Sequence, residues 1–389
     1  MKDNFISGFG FINCFKKEQK MLTKLWANNY RCFVNFEVEF DSLTLLLGPN
    51  GGGKTSIFDI LYNLRKLIID NAKVYEVFSP DDLTAWLDSN EQTFELQVEG
   101  NGGIYTYRLV ISHQRELGKL RIEQETLHYD NKVIFSFEKG DIHLYNDYYK
   151  EGAIISFDWM LSGLSMVVSR QDNTKLTWFK DWINKLFILN LEPKAIHSVS
   201  EDESSQLFRD GKNFVSWYRY FSQEHQDKMY DLITYLRNSI YGFDSLKLEL
   251  AGKHCILQVG FRGEKKGDKT LFFDFDRLSD GQKVLFILHT LLVCLQEMGN
   301  TLMMDEPENY IALAEIQPWL MELSDVCGVK IPQIIIISHH PELIDYFGVE
   351  KSRLIVREPL GPARVKQIFN RFEDSLKLSE LIARGWENE

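Results

Sequence analysis

Cysteine is scarce in this sequence, and no two cysteines form a C-x-x-C pair. The 389 residues include only Cys14, Cys32, Cys255, Cys294 and Cys327, an odd number at wide spacing. A disulfide framework or a zinc site would need paired cysteines at short, regular intervals. The pattern therefore argues against both and favours a reducing compartment, and we expect the protein to be cytoplasmic.

Long apolar runs are absent as well. The longest, residues 284–295, is interrupted by His289 and Thr290, and a membrane-spanning helix needs ~18 continuous apolar residues. The first twenty residues are semi-polar and lack the apolar run followed by small residues that a signal peptide has. We expect a soluble protein without a membrane partner, in which residues 1–20 are an N-terminal extension.

Basic side chains are fewer than acidic ones. The chain carries 44 basic and 56 acidic side chains, a net charge of −12, so its charge does not indicate a broad surface for nucleic acid. A local basic groove that contacts nucleic acid is compatible with this net charge. The 44% of hydrophobic and 26% of charged residues are typical of a folded protein, which excludes disordered, collagen-like and repeat-dominated chains.

The hydrophobic pattern divides the remaining chain into three parts. Residues 21–151 begin with strand-like runs and continue with short alternating strands, which predict an antiparallel β subdomain. Residues 152–239 are helical and aromatic-rich, and their tryptophans can serve either a core or a partner-docking surface. Residues 240–389 alternate strands with helices, as in a parallel sheet. The pattern predicts an α/β core that a helical insertion splits in two.

A glycine-rich segment after the apolar residues 43–47 carries the strongest functional signal. It reads GPNGGGKT and matches G-x-x-x-x-G-K-[ST]. Glycines let successive N–H groups point at phosphate oxygens, and the helix that follows adds its positive dipole. The alternative is a glycine-rich turn. Lys54 would reach the β- and γ-phosphates and Thr55 would ligate Mg²⁺. The pattern thus predicts that ATP is bound by Asn50, Gly51, Gly52, Gly53, Lys54, Thr55 and Ser56.

A second signal is an apolar run that ends in acidic residues. The run TLMMD, residues 301–305, is followed by Glu306, which fits a Walker B arrangement. Asp305 would hold Mg²⁺, and Glu306 would polarise the attacking water. A surface acidic turn is the alternative reading.

The segment LSDGQ, residues 278–282, resembles the LSGGQ signature of ABC-type ATPases, with aspartate in place of the first glycine. In that family the signature begins a helix whose N-terminus contacts the γ-phosphate of ATP bound to another subunit, a role that suits a hydroxyl and the helix dipole. The alternative is that the serine is only a helix N-cap. The resemblance implies a role in trans for Ser279, Asp280, Gly281 and Gln282.

Two further segments are similar to the same family. The run IIIISHHP, residues 334–341, is similar to the strand and switch histidine of these ATPases. His339 would then sense or position the γ-phosphate, with His340 as its neighbour, and a structural histidine is the alternative. The segment NYRCF, residues 29–33, resembles N-F-R-S-F of the SMC, Rad50 and RecF branch, which makes Arg31 a candidate phosphate contact or, alternatively, a surface arginine.

Together the motifs resemble the AAA15/AAA21 group of ABC-type ATPases, which is related to the OLD (overcoming lysogenization defect) proteins. The resemblance covers roughly residues 21–70 and 270–357. It implies an α/β fold, that of an ABC-type ATPase head, with a P-loop core and mixed sheet, an antiparallel β subdomain and a helical insertion. One departure is the segment YIAL after DEPEN, where relatives have G-L-H-P at the subunit junction. OLD nucleases continue into a Toprim domain, but only 50 residues follow His339, so we expect no nuclease activity in this chain itself.

The resemblance also implies an activity and partners. The expected protein is a slow ATPase that uses ATP and Mg²⁺ and forms a homodimer around ATP, which could be built into a larger assembly. Its implied role is to sense for, or regulate, a separate effector (a nuclease or toxin) in bacterial anti-phage defence. Two alternatives remain open: a RecF-like repair or recombination ATPase that acts directly on DNA, and an interaction protein that ATP clamps but that rarely hydrolyses it.

Overall fold

The computed structural model describes residues 20–114, 119–263, 265, 268–366, 368 and 377–383. The predicted N-terminal extension lies outside these residues, apart from Lys20. The strands are β1 (Met21–Asn28), β2 (Phe36–Glu39), β3 (Leu43–Leu47), β4 (Glu91–Gly100), β5 (Gly103–Gln114), β6 (Lys119–Tyr129), β7 (Lys132–Glu138), β8 (Asp141–Tyr145), β9 (Glu151–Ser156), β10 (Leu186–Leu189), β11 (Val199–Ser200), β12 (Phe243–Ala251), β13 (His254–Phe261), β14 (Leu271–Asp274), β15 (Thr301–Asp305), β16 (Gln333–Ile337), β17 (Ser352–Arg357) and β18 (Ala363–Lys366). The helices are α1 (Lys54–Ile68), α2 (Val74–Val77), α3 (Thr174–Asn184), α4 (Phe214–Glu224), α5 (Gln226–Ser239), α6 (Asp280–Cys294), α7 (Leu313–Val326), α8 (Pro341–Phe347) and α9 (Leu378–Ala383).

Six strands form a central sheet in the order β10-β15-β16-β3-β17-β18. The first five pair in parallel, and β18 pairs antiparallel to β17. The carboxyl ends of β3, β15 and β16 therefore lie side by side, at the edge where open α/β sheets bind their ligands. This mixed sheet is the α/β core that the sequence predicts.

The central sheet is buried on both faces. In β16, Ile335 and Ile337 join a core cluster with the apolar side of α1, whereas Ile334 and Ile336 join a second cluster with α6 and α7. Successive side chains of a strand point to opposite faces, so one all-apolar run serves two cores. Each such isoleucine contributes ~1.5–3 kcal/mol by its burial, which holds the strand and the loop after it in place.

Two further sheets flank this core. The eight strands β2-β1-β4-β5-β6-β7-β8-β9 form an antiparallel sheet that shares the first core cluster with α1. This is the antiparallel β subdomain that the alternating runs predict. The strands β11, β13 and β12 form a third sheet, to which β14 adds along β13, and the chain passes from β14 to α6 through a short 3-10 turn.

The segment 152–239 differs from the helical insertion that the sequence predicts. It contains α3, α4 and α5, but it also contributes β10 to the central sheet, from the pair Leu186↔Thr301 to the pair Leu189↔Met304. A four-residue apolar run is too short for periodicity to distinguish strand from helix. The segment is therefore partly continuous with the central α/β core, and the predicted domain boundaries stay a prediction.

Two other expectations concern the environment of the chain. In the part of the chain that the structure describes, no helix combines the length and apolarity needed to cross a bilayer. Cys32, Cys255, Cys294 and Cys327 of the described residues are free thiols, and the reducing, cytoplasmic location stays a prediction.

Candidate functional site

The loop between β3 and α1 follows a backbone path that only glycine can take at two points. Gly48 and Gly53 have φ angles of 138° and 107°. A Cβ atom on Gly48 would lie 1.9 Å from the Ile355 carbonyl oxygen, and one on Gly53 would lie 2.6 Å from Cys32 Sγ. The loop is thus held between β17 and the segment after β1, with no room for a side chain at either point.

Lys54 begins α1 and folds back over this loop. Its Nζ atom donates hydrogen bonds to the carbonyl oxygens of Gly48 at 2.7 Å and Pro49 at 3.1 Å. The side chain is buried, and burial lowers the pKa of Lys54, while the charges of Glu306 and Asp305 oppose this shift. An ammonium that satisfies loop carbonyls can exchange them for phosphate oxygens, which are stronger acceptors.

The next residue of α1 contacts the end of β15. Thr55 Oγ1 donates to Asp305 Oδ2 at 3.0 Å, and Asn190 Nδ2 donates to the same oxygen at 3.3 Å. Burial raises the pKa of Asp305, and the hydrogen bond from Thr55 opposes this shift. Mg²⁺ prefers oxygen ligands, and proteins usually bind it through one or two side-chain oxygens together with substrate phosphates and water. A hydroxyl beside a carboxylate supplies oxygen ligands of this kind. These residues therefore fit a bound Mg²⁺.

Glu306 follows β15 at the carboxyl edge of the central sheet and has an unusual backbone conformation. Its φ angle is 48°, a left-handed value that is uncommon outside glycine and is concentrated at functional sites. Its N–H donates to the Ile337 carbonyl at 2.8 Å, and Asn309 Nδ2 donates to its Oε2 at 2.8 Å. His339 Nε2 lies 3.8 Å from Oε1. Partial burial and the positive charge of Lys54 both lower the pKa of His339, and the negative charge of Glu306 opposes this shift.

The two histidines after β16 have different surroundings. His340 is the N-cap of α8, where its Nδ1 accepts the Glu342 N–H at 3.3 Å. Its own N–H donates to Ser338 Oγ at 2.9 Å, and Ser338 Oγ donates to Glu308 Oε1 at 2.5 Å. Burial raises the pKa of Glu308 to about 7. His340 thus has a structural position, and Glu308 braces the loop that presents His339 to Glu306.

A cavity of about 310 Å³ collects most of the predicted nucleotide-binding residues. Gly52 does not line it, and its N–H is bonded to the Pro49 carbonyl at 3.1 Å. Asp305 and His339 adjoin the cavity through Thr55 and Glu306. The described residues that line it are Arg31, Cys32, Asn50, Gly51, Gly53, Lys54, Thr55, Ser56, Glu306, Ile337 and Arg357.

Arg31 lines this cavity within a network of charges. It has a φ angle of 49° and forms ion pairs with Asp59 and with Asp82, the latter at 2.9 Å. Arg209, from the segment after β11, pairs with the other oxygen of Asp59 at 2.6 Å. The side chain of Arg31 is thus positioned at the cavity, although its charge is shared with two carboxylates.

Several residues of the site were not predicted from the sequence. Arg357 ends β17, and its Nη1 lies 3.4 Å from the Gly51 carbonyl oxygen, where it adds a positive charge to the cavity. Asn190 and Arg209 come from the segment that was expected to be an insertion. Arg357 had a usable signal, because it follows an apolar strand of the predicted parallel sheet. The other two depend on the pairing of β10, which the sequence did not indicate.

The signature segment lies at the start of α6, outside the lining of this cavity. The Ser279 N–H donates to Gln282 Oε1 at 3.1 Å, and Ser279 Oγ accepts the Gln282 N–H at 3.3 Å, which is a capping box. A Cβ atom on Gly281 would lie 2.4 Å from the Tyr310 carbonyl oxygen. None of the residues Ser279, Asp280, Gly281 and Gln282 lines the nucleotide cavity of the same chain, as far as the described residues define it.

The fold and the site define a P-loop ATPase of the ABC type. A family model described as "AAA domain, putative AbiEii toxin, Type IV TA system" matches residues 43–345. The chain belongs to this family. It is similar to the "SmcHead bound to the C-winged helix domain of ScpA", with a TM-score of 0.53, 14% identity, and coverage of 92% of this chain and 99% of that one.

A second similar structure is the "SMC head domain from Thermotoga maritima", with a TM-score of 0.46, 14% identity, and coverage of 90% of this chain and 99% of that one. A search of curated proteins gave no match. The match to the family confirms the predicted class, an ABC-type ATPase of the AAA21 group, and the fold shared with the first SMC head confirms the predicted fold.

Proposed function

We propose that this protein binds ATP with Mg²⁺, hydrolyses it slowly, and forms a dimer around it. The observation that carries the proposal is the cavity in which Lys54, Thr55 and Glu306 converge. A buried ammonium, a hydroxyl beside a carboxylate, and a second carboxylate at the open side are the groups that phosphoryl transfer requires.

In the proposed mechanism each side chain has one task. Lys54 exchanges the two loop carbonyls for β- and γ-phosphate oxygens. When bound, Mg²⁺ supplies neutralising charge to the phosphates, and Thr55 and Asp305 hold it. Glu306, oriented by Asn309, accepts a proton from the water whose oxygen attacks the γ-phosphorus. The bond from the γ-phosphorus to the β–γ bridging oxygen breaks, and ADP and phosphate leave.

The second chain of the dimer completes the site. The chain contains one P-loop and one signature segment, and the capped start of α6 does not line the nucleotide cavity of its own chain, within the described residues. A two-fold pairing lets each Ser279 approach the ATP of the partner and satisfies both sites together. ATP then links the two chains, and hydrolysis weakens the contact.

The dimer serves, in this proposal, to sense for or regulate a separate effector in bacterial defence against phage. The name of the matched family, which refers to a toxin and a toxin–antitoxin system, supports a role beside a toxin. The motif resemblance to OLD-like proteins supports the defence context. The effector itself is a nuclease or toxin that another chain supplies.

Sedimentation of variants tests the composite site. Glu306→Gln should dimerise when ATP is added, because ATP persists at the interface. Adding Ser279→Arg should prevent this dimer by steric bulk at the phosphate, while ATP binding to the single chain remains. Ser156→Arg, at an exposed position of β9, is the matched control and should still dimerise. A protein that stays monomeric with ATP in the Glu306→Gln background would refute the proposed dimer.

A further inference from the structure

A second, larger cavity lies beside the edge of the central sheet. It measures about 810 Å³, is open to solvent on one side, and is lined mainly by β10, the C-terminal half of α1 and the segment 205–212. Small-molecule sites usually have ~300–1,000 Å³. None of the sequence motifs contributes to it, and the mechanism proposed above does not use it.

Two buried donors line this cavity. Arg65 is 9% exposed and Asn300 is 2% exposed. The contacts of Arg65 are long, 3.4 Å from Nη1 to Asp70 Oδ2 and 3.5 Å from Nη2 to Asn184 Oδ1. Asn300 Nδ2 is buried without a hydrogen-bond partner among the described residues. Buried donors are normally paired in native proteins, so the guanidinium of Arg65 is short of close acceptors.

The charges around the cavity are opposite in sign to the charge of the chain. The chain has a net charge of −12, yet five basic side chains line this cavity against three acidic ones. Lys66 is the next residue after Arg65 in α1, and its Nζ atom lies over the Tyr62 ring, 5.0 Å from the ring centroid. A guanidinium and an ammonium at one cavity match a ligand that is anionic and rich in acceptor oxygens.

An extended peptide fits the same cavity less well. The segment 205–212 closes one end of the β10 edge, because the Asn190 N–H donates to the Arg209 carbonyl at 2.8 Å. At the other end, Gln206 Nε2 donates to Asn184 Oδ1 at 3.2 Å. A strand that added to β10 would have to break these contacts, whereas a small ligand can occupy the space between them.

We propose that this cavity is a second ligand site, for a small phosphate-bearing molecule, in which Arg65 and Lys66 are the donors. A phosphate group brings several acceptor oxygens and more than one negative charge. It therefore replaces the long contacts of Arg65 with shorter ones.

Two side-chain connections join this site to the nucleotide cavity. Arg209 lines the second site and pairs with Asp59 at 2.6 Å, and Asp59 also pairs with Arg31 of the nucleotide cavity. Asn190 lines the second site and donates to Asp305 Oδ2 at 3.3 Å. A phosphate that draws Arg209 away from Asp59 leaves this carboxylate to Arg31. Occupancy of the second site therefore changes the affinity for ATP, a step that rests on the proposed function.

Binding is tested on the full chain with Lys54→Ala, so that the P-loop does not hold the probe. Calorimetric titration with orthophosphate and with ribose 5-phosphate should show saturable binding of at least one of them, and ribose, the uncharged control, should not bind. In this background Arg65→Ala and Lys66→Glu should each weaken binding at least tenfold. Arg170→Ala, a substitution of an exposed arginine paired with Asp172, should leave it unchanged.

Two results would overturn the proposed site: no saturable binding of either phosphate, or binding that neither Arg65→Ala nor Lys66→Glu weakens. Lys66 lies on the partly exposed side of α1, so Lys66→Glu should fold. It therefore tests the site even if Arg65→Ala fails to fold. The connection is measured on the wild type, whose ATP affinity should shift several-fold with saturating probe. An unchanged affinity refutes the connection, whereas failure to bind ATP at all counts against the proposed function and leaves the phosphate titration valid.

Discussion

Substitution of Gly53 by alanine should damage both the stability and the ATP site. The new methyl group would lie 2.6 Å from Cys32 Sγ and 2.8 Å from Phe33 Cε1. Phe33 is fully buried and stacks on Phe36 with ring centroids 4.0 Å apart, so it has little room to move. The overpacking costs ~1–3 kcal/mol, and the φ angle of 107° adds ~1–2 kcal/mol for a residue with a Cβ atom. The free energy of unfolding should therefore fall by ~2–5 kcal/mol in total.

Gly51→Ala provides the matched control for this prediction. Gly51 also has a positive φ angle, 75°, but nothing lies within 4 Å of its Cβ position. It should lose only the backbone contribution of ~1–2 kcal/mol. Urea unfolding followed by tryptophan fluorescence measures both free energies, and titration with a fluorescent ATP analogue measures the affinity. Equal stability of the two variants, with ATP affinity retained in Gly53→Ala, would refute the close packing described for the loop.

Two further substitutions test the electrostatics of the site. Lys54→Ala should abolish ATP binding in the same titration, because the principal positive charge for the β- and γ-phosphates is removed, and an unchanged affinity would contradict the phosphate assignment. Glu308→Gln should flatten the dependence of stability on pH. Burial raises the pKa of Glu308 from 4.5 to about 7, so the unfolded state loses this proton first, and wild-type stability falls by ~3 kcal/mol as the pH rises between these values. Urea unfolding at about pH 5 and about pH 8 should show that loss in the wild type only, and an equal loss in the variant would contradict it.

Local sequence patterns predicted the parts of the site that depend on neighbours in the chain. The P-loop needs glycines at fixed offsets before Lys54, and the acidic end of β15 needs only an apolar run followed by Asp305. Both signals lie within a few residues, so spacing alone reveals them. The parallel sheet was predictable for the same reason, because long all-apolar runs such as that of β16 indicate strands buried on both faces.

Long-range pairing accounts for what the sequence did not indicate. β10 joins β15 across more than a hundred residues, and this pairing brings Asn190 to Asp305 and Arg209 to Asp59. No periodicity in a four-residue strand records such a partner. The left-handed conformation of Glu306 was equally unpredictable, because neighbouring packing imposes it against the preference of the residue.

The most direct test of the central claim is the rate of ATP hydrolysis by Glu306→Gln. The amide keeps the shape of the side chain and its contact with Asn309 can re-form, but it cannot accept a proton from water. Glu315→Gln, an exposed position in the first turn of α7, is the matched control and should hydrolyse ATP at the wild-type rate. We expect Glu306→Gln to bind ATP as the wild type does and to lose hydrolysis by roughly 10²–10⁴-fold. Wild-type turnover in Glu306→Gln would contradict the role of this carboxylate and the mechanism built on it.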